Sequence, residues 1–130
     1  MNHRTATTVL AAPKERVFSY LADVQNLPAW ATEFARELKH ENGKAKVVNG
    51  LGEFYVSIDA DPRTGVIDMY AGPSEDELAL FPTRVIELPG SRSAFSFTLF
   101  QAPGMPDALF ESQYESLVRE LGNIEREFER

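Results

Sequence analysis

One stretch of this chain repeats its apolar residues at helical spacing over many turns, and it limits what the rest can be. From Asp107 onward, Phe110, Tyr114, Leu117, Leu121, Ile124 and Phe128 recur at steps of three and four. At roughly 100° per residue they form one stripe, the mark of an amphipathic helix with a single face to bury. Asp107 near its start and Arg126 near its end suit the helix dipole. At about 1.5 Å per residue such a helix is roughly 30–35 Å long, enough to cross a whole small sheet.

The sheet is written into residues 34–102, where the period falls to two. FARELKHE alternates and ends at Asn42-Gly43, a strong hairpin signal because a type I′ turn needs positive φ at both central positions. KAKVV follows, and EFYVSIDA then places Phe54, Val56 and Ile58 on one face. Further turns lead to VIDMY, to ELALFPTRVIEL and to SAFSFTLF, in which Phe95, Phe97 and Leu99 alternate. Pro82 requires an edge position or a bulge, because it cannot donate to a ladder. Repeated turns with nothing helical between them predict an antiparallel meander.

Ahead of the meander, residues 5–11 (TATTVLA) read as a strand. Pro13 suits the first position of a helix carrying Val17, Phe18 and Leu21 on one face. Asn26 is a candidate cap for a very short second helix through Pro28 to Thr32. The order is strand, two short helices, five or six strands, one long helix, which is an α+β arrangement in one domain, residues 1–130. A strongly curved sheet wrapped around that helix cannot close on it everywhere. The gap that remains, apolar and roofed by the short helices, is the usual form of a small-molecule site.

Composition narrows the partners. The formal net charge is −7, which argues against nucleic acid and against an anionic membrane surface. There are no cysteines, so disulfides, thiolate catalysis and Cys-based zinc sites drop out. No window approaches 18 apolar residues, and the first residues carry no apolar run of signal-peptide length. Membrane insertion is not expected, and the cytoplasm is the expected location. His3 and His40 lack metal-ligand spacing, NGLG lacks the helix a dinucleotide loop needs, and Gly-x-Ser-x-Gly is absent. Neither a metal nor a cofactor is expected.

The segment AAPKERVFSYLADVQNLPAW, read as strand, A-P-x-x-x-V-F and D-x-x-N-L-P-x-W, resembles the START-like helix-grip superfamily, in particular its polyketide cyclase/dehydrase and lipid-transport branch. The tail FTLFQAPGMPDALFESQYESLVRELGNIEREFE is similar to that branch's final strand, its P-G-x-x-D junction and its C-terminal helix. The resemblance covers about residues 3–129 and implies a helix-grip fold. In it, a curved antiparallel sheet of six to seven strands wraps a long C-terminal helix, with two short helices after the first strand. It also implies that the short helices cap one end of the cavity and that Trp30 points into or across that end. The plainer reading is that Trp30 plugs the helix–sheet junction.

Expected ligand-lining residues are Trp30, Phe34, Leu38 and His40 near the cap. The strands would add Phe54, Val56, Ile58, Phe81, Phe95 and Phe97, and the helix would add Phe110 and Leu117. Period two puts Arg36 and His40 on the face of Phe34 and Leu38, where Arg36 would meet an anionic or enolate-like group. The duller reading carries more weight: Arg36 snorkels to the rim and His40 lies in solvent. Arg36, Tyr70, Gln113 and Tyr114 are the candidate catalytic groups. Binding of a small hydrophobic, lipid- or polyketide-like molecule ranks first. A cofactor-free cyclase, dehydratase or isomerase ranks second, and an interaction module with a vestigial cavity third. Homodimerisation remains open.

Overall fold

Alternating segments pair in sequence order when the turns between them are short, and this chain does so almost throughout. A computed structural model of the protein describes residues 1–129; Arg130, the last residue of the expected domain, lies outside them. The strands are β1 (His3–Leu10), β2 (Glu37–Glu41), β3 (Lys44–Asn49), β4 (Gly52–Asp61), β5 (Val66–Gly72), β6 (Ala79–Leu88) and β7 (Arg92–Phe100). The helices are α1 (Lys14–Leu21), α2 (Leu27–Trp30) and α3 (Asp107–Glu127), with a 3₁₀ turn at Val24–Asn26 before α2. All seven strands form one sheet in the order β1-β7-β6-β5-β4-β3-β2. Every pairing is antiparallel. Asn42 and Gly43 both have positive φ, as the tight turn between β2 and β3 requires.

The sheet curls because its long strands change partners part-way along. The first half of β6, Ala79–Arg84, pairs with β5, whereas Thr83–Leu88 pairs with β7. β4 makes a similar exchange, meeting β3 over Gly52–Val56 and β5 over Tyr55–Asp61. Each exchange staggers the strands and bends the sheet. Pro82 lies where β6 has β5 on one side and no ladder with β7 on the other, a local edge inside a long sheet.

Val47, Ile67, Val85 and Phe95 face the interior and are fully buried. α1 packs Val17, Phe18 and Leu21 against the β6–β7 end of the sheet. Burying each such side chain contributes about 1.5–3 kcal/mol. α3 carries Phe110, Leu117, Leu121 and Ile124 on its buried face.

Two local expectations need correction. β2 begins at Glu37 and not at Phe34, because the Ala35 N–H bonds back to the Ala31 carbonyl at 2.7 Å and turns the chain. Asn26 does not cap α2 with its side chain, which instead donates to the Tyr20 carbonyl at 2.9 Å. It is Asp23 that caps, accepting from the Gln25 N–H at 2.9 Å at the start of the 3₁₀ turn.

Gly65 holds the β4–β5 turn against β6. Its φ is +82°, its carbonyl accepts from Val85 N–H at 2.8 Å, and a Cβ there would lie 2.1 Å from the Val85 carbonyl oxygen. Gly65→Ala therefore meets both an unfavourable φ and a main-chain clash. It should cost about 2 kcal/mol or more, read as a lowered urea midpoint.

Candidate functional site

Where the curled sheet leaves the straight helix, a cavity of about 500 Å³ opens. Its sheet wall is Val56, Met69, Ala71, Phe81, Phe97 and Leu99, all of them inner-face positions. Across from it, α3 presents Leu109, Ser112, Gln113, Ser116, Leu117 and Glu120. The segment between α2 and β2, with the Asn49-Gly50-Leu51 turn, closes the remaining side. Exposed lining residues, Gly50, Leu51, Leu109 and Ser112, mark the opening. Buried ones, Leu27, Trp30, Ala31, Leu117 and Glu120, mark the closed end.

Trp30 belongs to that closed end. It is 2% exposed, and its ring meets Phe95 edge-on, with centroids 6.1 Å apart at 83°. The indole is thus both cavity wall and junction plug. Its N–H is the one side-chain polar atom among the described residues that is sealed from solvent and has no partner.

The structure brings Trp30, Phe34, Val56, Phe81, Phe97 and Leu117 together around this cavity, with Arg36 and Gln113. Other expected residues lie elsewhere. Leu38, Phe54 and Ile58 are half-buried and pack against the core. Phe95 stands behind Trp30 and Phe97 as a second layer. Phe110 faces β1, beside Arg4 and Gln101. His40 is exposed and hydrogen-bonded to Gln25 at 2.7 Å, because its strand end runs out under the 3₁₀ turn.

Tyr70 borders the cavity as well, although it pairs with Ser57 and Leu80 at outer-face positions of the sheet. One candidate catalytic group lies elsewhere. Tyr114 leans toward β1, where the Arg4 guanidinium lies 3.9 Å from its ring centroid. Arg36 is exposed at the rim, its guanidinium against Gly50.

The most unusual group at the site is Glu120. It sits three residues after Leu117 and four before Ile124, so the helix carries it on the apolar stripe, and it is 6% exposed. One oxygen, Oε2, accepts the N–H groups of Glu33 and Phe34, each at 3.0 Å. The second oxygen has no hydrogen bond and is not sealed off as the Trp30 N–H is, and Glu120 itself lines the cavity. Burial pushes the carboxyl up to about 7, against the two N–H donors that favour its charged form. The sequence signal was present: a glutamate on an apolar stripe is expensive unless something uses it.

Glu120 is also one of several ties on the segment that closes the cavity. Asn123 donates to the Trp30 carbonyl at 2.9 Å, and Asn49 to the Phe34 carbonyl at 2.8 Å. Arg119 grips Glu33 through two hydrogen bonds of 2.8 and 2.7 Å, and Ser116 adds one of 2.9 Å. The Arg119 guanidinium holds the Glu33 carboxyl below its usual range. Neither Asn49 nor Asn123 could be picked out in advance, since each acts by reaching a carbonyl far away in the chain. Among the described residues no cluster of three or more His, Cys, Asp or Glu side chains could hold a metal ion. No helix among them is long and apolar enough to cross a membrane.

The Glu120 carboxyl binds its proton more tightly folded than unfolded, so its contribution to stability is present near pH 4.5 and is lost as pH rises toward 7. Glu120→Gln should remove that slope. Relative to the unchanged protein, the variant should gain up to about 3 kcal/mol between pH 5 and pH 8, measured by urea unfolding at several pH values.

No protein-family model matches this sequence, and no curated protein matches it. Solved structures do. The Zhui aromatase/cyclase from a Streptomyces species is 22% identical with a TM-score of 0.73, over 99% of this chain and 94% of that one. A START superfamily protein from Mycobacterium smegmatis is 16% identical with a TM-score of 0.61, over 98% and 99%. The Aha1 dimer from Colwellia psychrerythraea is 12% identical with a TM-score of 0.72, over 99% and 97%. At such identities the likeness speaks for the backbone alone. Taken with the curled sheet and the helix it holds, it gives the chain the START-like helix-grip fold, shared with the Zhui aromatase/cyclase.

Proposed function

We propose that the protein binds a small apolar molecule containing rings, lipid- or polyketide-like in character, between its sheet and α3. The observation that carries this reading is the cavity itself, about 500 Å³ walled mostly by apolar side chains. Protein interiors close to crystal-like density when nothing prevents it, and walls facing a gap give up dispersion contacts. A hollow of this size costs stability, and it falls in the range of small-molecule sites. A buried end and an exposed end give a ligand one way in.

A cofactor-free cyclase or dehydratase is the second reading. Arg36 and Gln113 border the same hollow as the apolar walls, which favours it. It differs from simple binding in one respect: a bound compound would leave changed.

Leu117 lies on the helix wall and is 3% exposed. Leu117→Trp should fill the hollow and weaken binding of the neutral probe N-phenyl-1-naphthylamine by tenfold or more, with the melting temperature held or raised. Native mass spectrometry of protein purified from its own host should find a bound apolar compound. If the unchanged protein does not take up the probe and carries no such compound, the proposal fails.

A further inference from the structure

We propose that the ligand is an amphipathic amine, an apolar ring system bearing a basic nitrogen whose ammonium pairs with the free carboxyl oxygen of Glu120. This rests on the cavity being a binding site and goes further by naming what the closed end recognises. The first argument is geometric. Glu120 lines the hollow, and its Oε2 is occupied by the Glu33 and Phe34 N–H groups, whereas the other oxygen is unpartnered and not sealed off. A buried carboxylate is tolerated when a cation meets it.

Among the described residues no cation forms an ion pair with it. Arg119, next to Glu120 on α3, favours its charged form from a distance but is committed to Glu33 by a two-pronged contact. Arg36 lies at the opening against Gly50. Glu33, on the closing segment, is itself acidic and adds to the negative potential at the site. The wall strands and the β3–β4 turn contribute apolar residues with Asn49, Ser57 and Tyr70, but no charge, to the lining. A positively charged group on the ligand is the missing complement.

Two further features favour a cation. The walls include the rings of Trp30, Phe34, Phe81 and Phe97, whose faces attract positive charge once water is excluded. The net charge of −7 draws cations toward the molecule and repels carboxylates. A neutral hydroxyl could bond to the same oxygen, but without charge assistance the contact is weaker.

Three probes sharing one ring system separate these cases: naphthalenemethylamine, naphthalenemethanol and naphthoic acid, titrated calorimetrically into the full chain at pH 7.5. The amine should bind at least about tenfold more tightly than the alcohol, and the acid weakest of all. Lowering the pH to 5.5 protonates Glu120, and should weaken the amine about tenfold and the alcohol far less. Glu120→Gln should bring the amine down to about the level of the alcohol. The comparison across pH in the unchanged protein stands even should that variant misfold. Equal or tighter binding of the alcohol, or preference for the acid, would overturn the amine assignment alone. Failure of all three to bind would overturn the binding reading along with it.

Discussion

A straight helix laid into a curled sheet can touch it along only part of its length, and the whole molecule is organised by that mismatch. α3 packs on β1 along one flank and on α2 along the other. Between these supports the inner faces of β4 to β7 bend away from it, since β4 and β6 exchange partners half-way along. The hollow is what remains where side chains such as Phe81 and Leu117 approach from opposite walls without meeting. It needs no special device to form, only a sheet that bends more than a helix does.

The closed end shows how local surroundings separate two chemically similar acids. Glu33, at the cavity's edge, is held by Arg119 and Ser116, which stabilise its charge. Glu120 lies one helical step from Arg119 but points inward, where loss of water outweighs two main-chain donors. The same segment is thus held by a charged contact at Glu33 and by the main-chain bonds to the buried carboxyl of Glu120. Only the second has an oxygen available to a guest.

Most of the architecture was legible in the chain. The helical stripe of α3, the Asn42-Gly43 turn and the alternating strands each follow from one local rule, and the resemblance read from the A-P-x-x-x-V-F and N-L-P-x-W segments pointed to the same fold. The site was less legible, because it depends on which of several apolar faces is left uncovered. Phe54 and Phe81 share strand parity and chemistry, yet only Phe81 borders the hollow. Tyr70 borders it too, although Asp68 shares its parity and an aspartate marks the outer face. Tyr114 could not be discounted in advance, because its place was decided by Arg4, a hundred residues earlier. Glu120 escaped notice because the stripe was counted by its apolar members.

The position of Trp30 has a practical consequence. It is the only indole in the chain, and it forms part of the cavity wall while resting edge-on against Phe95. With excitation at the red edge, where the four tyrosines do not absorb, its ultraviolet emission therefore comes from one known place. A guest reaching the closed end would change the polarity around that ring and quench or shift its light. The protein thus carries its own dye at the spot where occupancy matters.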